Sequence, residues 1–247
     1  MPVLVLLARA VATGSVLAAL TDPAVVDALV LSTVTTSICV VLVLVLGIPL
    51  ALLLARSHFR GSALLETIVD LPIVLPPSVA GIALLLVLGR RGLFGDPLAA
   101  LGLTLPFTTA AVVLAQFFVA APFFIRSARA GLAGVEREIE DAARVDGAAE
   151  RQVFRYVTAQ LAAPALAAGL VTAWARALGE FGATIIFAGS IEGRTQTLPL
   201  VVYGEFQSSN LDASIAASAV LVIAALIALL LVRGLHWSRA LDVRGAG

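Results

Sequence analysis

The chain has 247 residues, is 60% hydrophobic and carries a formal net charge of zero, with a mean hydropathy of +1.05. Soluble domains hold only about 45–50% apolar residues, so an aqueous globule is excluded and much of this surface must be solvated by lipid. All sixteen cations are arginine; without a lysine the chain cannot build a Walker A loop, whose lysine contacts the nucleotide phosphates.

A spanning helix needs about 20 predominantly apolar residues. Residues 2–20 qualify as a first span interrupted by Arg9; a signal peptide would place its basic residue before the apolar core. Residues 28–55, 71–89, 98–125, 157–175 and 213–232 each run without a charge. Cys39 lies inside the second stretch, where a lone thiol can form no internal disulfide and serves as filler. The third stretch holds Pro72, Pro76 and Pro77, which interrupt its hydrogen-bond ladder; such a break is either a kink that fits a bundle or a gate. Arginines between the stretches set the orientation. Eleven (Arg56, Arg60, six from Arg126 to Arg155, Arg233, Arg239, Arg244) fall on one set of ends, against Arg90, Arg91 and Arg194 on the other. The positive-inside rule makes the first set cytoplasmic. The expectation is an all-α membrane protein of six spans, both termini cytoplasmic, in one transmembrane domain.

A dense block of charge between the fourth and fifth spans, EIEDAARVDGAAER, then faces the cytoplasm. Glu136, Glu138, Glu140 and Asp141 crowd the first turns of a short helix, where the dipole favours anions. Arg137 with Asp141, and Glu140 with Arg144, are expected as i,i+4 ion pairs. Asp146-Gly147 signals a turn, with Gly147 ending the helix in a left-handed conformation. A second helix follows, with Phe154, Val157 and Leu161 at helical spacing leading into the fifth span. Small residues at Ala142, Ala143, Ala148 and Ala149 leave a low surface open to close approach. A solvated loop obeying only the positive-inside rule would look similar in composition.

The spacing Asp141-Ala142-Ala143, three residues, Gly147 resembles the EAA loop of binding-protein-dependent ABC importer permeases. In that family the loop, here about 135–157, forms coupling helices that sit in a groove of a cytoplasmic ATPase. The resemblance implies that Glu140, Asp141, Ala142, Ala143, Gly147 and Arg151 carry ATPase coupling. Two departures stand out: Asp141 replaces the family's Glu, and Ala159-Gln160 stands where Leu-Pro is usual, with Pro164 following. The runs GEFGATIIFAG (179–189), RTQTLPL (194–200) and LPIVLPPSVAG (71–81) are similar to the molybdate branch of these permeases, with tungstate and sulfate permeases close to it. The implied protein is a homodimeric inner-membrane permease of a prokaryote, embedded in the lipid bilayer. It would work by alternating access with two ATPase subunits and an extracytoplasmic oxyanion-binding protein. ATP and Mg would bind on the ATPase and no cofactor on this chain.

Within the spans, Arg176 and Glu180 lie i,i+4 apart, as a structural pair or with Arg176 attracting an anion. Gly179 and Gly182 permit close helix approach, and Thr184 offers a hydroxyl to a narrow path. Pro76, Pro77, Arg176, Glu180 and Thr184 are the candidates for the pathway or its gate. The mixed charges Glu192, Arg194, Glu205 and Asp212 suit either an external docking loop or ordinary solvation.

Enzyme readings find little support. His58 and His236 sit just outside span ends, and Ser32, Ser37 and Ser78 have no neighbouring base to activate them. No basic patch interleaved with aromatics suggests nucleic acid. An ion-coupled secondary transporter is the rival from another class, yet such folds show repeated halves and intramembrane acids. Here no repeat is visible and Glu180 is the one acid well inside a span, with Glu66 and Asp70 at an edge. A passive channel would leave the charged block without a purpose.

Overall fold

The structure is a computed structural model that describes residues 1–57 and 59–242, with side chains described through Leu230. His58 and Arg244, and the side chains of Arg233, His236 and Arg239, lie outside the described residues, as does any placement of the C-terminus. Among the described residues the fold is all-α, with no strand.

The elements run α1 (Pro2–Ala12), α2 (Ser15–Thr21), α3 (Pro23–Arg56), α4 (Ser62–Val74), α5 (Pro77–Leu88), α6 (Gly95–Ala100) and α7 (Thr109–Ala133). They continue with α8 (Arg137–Val145), α9 (Glu150–Val153), a π-helical turn (Phe154–Thr158), α10 (Ala159–Leu161), α11 (Ala163–Leu178), α12 (Gly182–Phe187), α13 (Leu198–Gln207) and α14 (Leu211–Asp242). Helix α3, with 34 residues, is about 50 Å long, well beyond the roughly 30 Å of a bilayer core. Val30, Val34, Ile38, Val41 and Val45 form an exposed apolar stripe along it, a face that water would not tolerate but lipid does.

Among the described residues, three helices are long and apolar enough to cross a membrane unbroken: α3, α7 and Leu211–Leu230 of α14. Two further spans exist if bent pairs count as one each: α1 with α2 (75°), and Glu150–Leu161 with α11 (72°). The expected span at 71–89 is not one helix. It divides at Leu75, which is extended, and Pro76, and resumes as the 12-residue α5, only about 18 Å long. The cause is in the sequence: Pro77 has no N–H to give and Pro76 forces Leu75 out of helical geometry. The expected span at 98–125 also shifts, because 103–108 is irregular and the helix occupies Thr109–Ala133. Arg126 and Arg129 therefore lie inside α7, where they pair with Asp70 (3.8 Å) and Glu66 (2.8 Å) of α4. The second bend follows Ala162, where Pro164 enters the first turn of α11.

The helices fall into two compact units. One comprises residues 1–35, 107–109 and those from 188 on; the other, 36–106 and 110–187. The first packs Ala19, Val25 and Ala28 against Leu198, Val201, Ala217 and Val220. There Ser32 Oγ accepts the Leu198 N–H (2.8 Å), capping α13 from α3. Glu205 belongs to α13, not to a loop as expected. The second unit is built on α7, with Val43, Phe124, Ala128, Leu132, Ala173 and Ala177 at its centre. Gly47 lies so close to Phe124 that an added Cβ would stand 2.9 Å from its ring. Ser127 Oγ donates to the Ala165 carbonyl (2.7 Å), tying α7 to α11.

Candidate functional site

Two constellations come together in the second unit, the charged segment and the packing of α5 on α12. In the first, α8 ends in a closed turn. Ala148 N–H donates to Ala143 O and Gly147 N–H to Arg144 O, both at 3.0 Å, the hydrogen-bond pair of a Schellman ending. Gly147 supplies the left-handed residue that this ending needs, at φ +88°. Past the turn, Gln152 Oε1 reaches back to accept the Ala149 N–H (2.8 Å) at the start of α9.

Arg144 fastens this turn from outside. Its Nη1 lies 2.6 Å from Asp141 Oδ1, and its Nε and Nη2 contact the two oxygens of Glu150 at 2.7 and 3.2 Å. The guanidinium holds the Glu150 carboxyl below its ordinary pKa and is itself held above its own, first by Glu150 and then by Asp141.

The expected Glu140–Arg144 and Arg137–Asp141 pairs are thus replaced. Asp141 takes Arg144 at i,i+3, while Glu140 points inward to Arg56 of α3 at 2.6 Å. Helical spacing set which residues could meet, but burial of Glu140 gave it a partner 84 residues away. Thr158, in the π-helical turn, donates its hydroxyl to the same Glu140 Oε1 (2.6 Å). Of the coupling candidates, Asp141, Ala142, Gly147 and Arg151 are exposed and Ala143 is half-buried. Arg56 had weight in the sequence only as a loop cation, and Thr158 carried no signal at all.

The second constellation begins where α4 stops. Pro76 stands at the break and Pro77 opens α5. Helix α5 lies against α12 with almost no space between them. A Cβ on Gly182 would stand 2.6 Å from Pro77 Cβ, and one on Gly81 would stand 2.9 Å from the Ala183 carbonyl oxygen. The expected close approach of Gly182 is therefore met by α5. Arg176 and Glu180 form their pair at 2.7 Å at the end of α11, and Glu180 is fully buried. Its Oε1 also accepts the Ala183 N–H (2.8 Å), which caps α12. Thr184 follows on α12, buried, its hydroxyl without a hydrogen-bond partner among the described residues. Pro77 and the Glu180–Thr184 segment are thus neighbours through one helix pair. Among the described residues no group of three His, Cys, Asp or Glu side chains is placed to hold a metal.

Comparison with known proteins fits this architecture. Residues 47–240 match the family of binding-protein-dependent transport system inner membrane components. The molybdenum transport system permease protein ModB of Mycobacterium tuberculosis is 44% identical over 213 residues, covering 86% of this chain and 80% of that protein. The ModB protein of Escherichia coli is 41% identical over 214 residues, covering 86% of this chain and 93% of its own. Among solved structures, a bacterial ABC transporter that imports the acidic polysaccharide alginate superimposes with a TM-score of 0.74 at 18% identity, covering 92% of this chain and 83% of that one. A likeness at that identity speaks for the fold. The length of the family match and the identity to the ModB proteins place this chain in the family of binding-protein-dependent transport system inner membrane components.

Proposed function

We propose that this chain is the permease subunit of an ATP-driven importer that carries molybdate across the inner membrane. The observation that supports this most is the identity of 41–44% to ModB proteins over 86% of the chain. In this reading two copies form the pathway, six membrane crossings leave both termini in the cytoplasm, and the charged segment meets an ATPase. Asp141, Ala142, Ala143, Gly147 and Arg151 belong to the contact, since a low surface bounded by a fixed turn admits a partner closely. ATP and Mg bind to that partner, and this chain catalyses no bond change and holds no cofactor. An oxyanion-binding protein docks on the opposite side. The work of the chain is alternating access: ATP binding draws the two coupling segments together and opens the outward side, and hydrolysis lets the spans return. The helix pair α5–α12, with Pro76 and Pro77 at its broken entry and Arg176, Glu180 and Thr184 alongside, is assigned to the pathway or gate.

The test is ATP hydrolysis in proteoliposomes containing this chain, its ATPase and its binding protein, with molybdate, tungstate or sulfate offered on the binding-protein side. Stimulation by molybdate at the lowest concentration is expected. Stimulation by sulfate alone would move the assignment to the sulfate permeases. Transport that needs no ATP would remove the importer reading altogether.

A further inference from the structure

The charged segment exposes most of its side chains, yet Glu140 at its heart is 6% exposed. A buried carboxylate is costly unless paired and hydrogen-bonded, and Glu140 is both. One oxygen, Oε1, receives Arg56 Nη2 at 2.6 Å and the Thr158 hydroxyl at 2.6 Å. The other arm of the same guanidinium, Nη1, points at the Val135 carbonyl, 3.5 Å away. The last turn of α3 therefore grips the segment twice, at its entrance and in the first turn of α8. The π-helical turn closes the grip from the other side.

From this geometry we infer that Glu140 is a positioning residue, the joint through which α8 moves the end of α3, and not part of the surface that touches the ATPase. The inference rests on the proposed coupling to an ATPase and deepens it. A carboxylate held by donors from two other elements fixes α8 in direction as well as in place, because the planar guanidinium is a rigid fork. A push on the exposed face of α8 must then either break these charge-assisted bonds or carry Arg56 with it. Gly134, Val135 and the extended Glu136 are the covalent link to α7, and the Val135 carbonyl lies 3.5 Å from Arg56 Nη1; the 2.6 Å charge-assisted contact of Arg56 with Glu140 is the firmer hold on α8.

The π-helical turn has a matching role. It inserts one extra residue between α9 and α10, and such insertions recur at functional sites in helices. Regular α-helical register would rotate Thr158 relative to α9 by about 100°, away from Glu140. The extra residue is what lets a helix that continues α9 offer a hydroxyl to α8. The joint also forms part of the wall of an open cleft of about 650 Å³ that includes Arg144 and Arg151, so its bonds can rearrange without opening the core.

The experiment compares wild type with Glu140→Gln, Thr158→Val and Arg56→Lys in the complete transporter in proteoliposomes. It measures molybdate moved per ATP hydrolysed, and in parallel the ATPase that co-purifies. The expected result is an unchanged amount of bound ATPase and a transport-to-hydrolysis ratio that falls about tenfold in Glu140→Gln, the scale of one charge-assisted hydrogen bond. Thr158→Val and Arg56→Lys move the ratio in the same direction. A merely structural role would lower transport and hydrolysis together and leave the ratio alone, and that outcome overturns the inference. Loss of ATPase from Glu140→Gln, with the ratio intact in what remains, also overturns it, because Glu140 would then be a contact. Thr158→Val removes a single hydroxyl and carries the test by itself if Glu140→Gln fails to insert. Failure of the wild-type chain to bind the ATPase or to move molybdate sinks the proposed function instead, so the two failures are told apart.

Discussion

Arg176 and Glu180 sit one turn apart at the end of α11 and meet at 2.7 Å, with the Glu180 side chain fully buried and the Arg176 side chain 29% exposed. The burial is unequal, so the two ends of the pair are not equivalent. Arg176→Ala would leave a buried carboxylate without its cation, a loss that reaches about 3–5 kcal/mol when such pairs are broken. Adding Glu180→Gln to that change removes the stranded charge and keeps an oxygen for the Ala183 N–H. The double variant is therefore expected to be more stable than Arg176→Ala alone, read as melting temperature in detergent. Equal or additive losses across the four proteins of the cycle would dissolve the pair as an energetic unit.

Gly147 occupies φ +88° with open space where a Cβ would stand. The demand at this position is on the backbone and not on volume. A left-handed conformation costs an ordinary residue about 1–2 kcal/mol, more for a β-branched one, and Asn least. Gly147→Val is expected to open the turn and weaken retention of the ATPase while membrane insertion persists, and Gly147→Asn to restore most of it. Co-purification of the ATPase with the wild type and the two variants ranks them. An equal result for Val and Asn would mean that the left-handed turn does not matter to docking.

How the sequence reads depends on the range over which each feature is decided. The turn at Asp146-Gly147, the helix before it and the Arg176–Glu180 pair are local, set within five residues, and all three are visible in the sequence. The break at Pro76 is equally local and is expected from the prolines there, whereas the bend before Pro164 falls inside a stretch read as one span. The α8 ion pairs fail as read because i,i+4 spacing ranks partners on one helix and ignores α3. Arg56 is 84 residues from Glu140, and only tertiary packing brings it there. The π-helical turn has no residue signature, since Phe154–Thr158 would serve a regular helix as well. The fit of Gly81 to Ala183 is visible as a glycine in an apolar run, but not as a choice of neighbour.

The α5–α12 contact makes a volumetric prediction. Added methyl groups at Gly81 and Gly182 would come within 2.6–2.9 Å of atoms that include the rigid ring of Pro77 and the Ala183 carbonyl. Neither neighbour can swing aside, so Gly81→Ala and Gly182→Ala are expected to lose about 1–3 kcal/mol each by overpacking. Gly204 in α13 is the control, because a Cβ there meets nothing within 4 Å. Gly204→Ala is expected to be neutral or to stabilise by up to about 1 kcal/mol through helix propensity. Thermal unfolding of the three proteins separates the cases, and a Gly204→Ala loss as large as the others would mean that glycine flexibility matters, not close packing.

The turn at Gly147 should respond to pH through Arg144. Arg144 faces two carboxylates, Glu150 and Asp141, at 2.7 and 2.6 Å, and its hydrogen bonds to Glu150 depress that carboxyl's pKa. A group with a depressed folded pKa contributes its stability above its ordinary value and loses it as pH falls through the lowered one. The tie across the turn is thus complete at neutral pH and is lost only on acidification below the usual glutamate range of about 4.3. It is also exposed, so salt screens it. Hydrogen-exchange protection of the Gly147 and Ala148 amides, which donate to Arg144 O and Ala143 O, is expected to fall in that acid window and to fall sooner at high salt. Glu150→Gln cannot titrate, so its protection should start lower at neutral pH and change less with acid. The Gln152–Ala149 bond is neutral and unaltered by that change, which keeps the second helix start as an internal reference. Identical acid profiles for Glu150→Gln and wild type would assign the titration to groups other than Glu150, and the Arg144–Glu150 tie would then have no part in holding the segment closed.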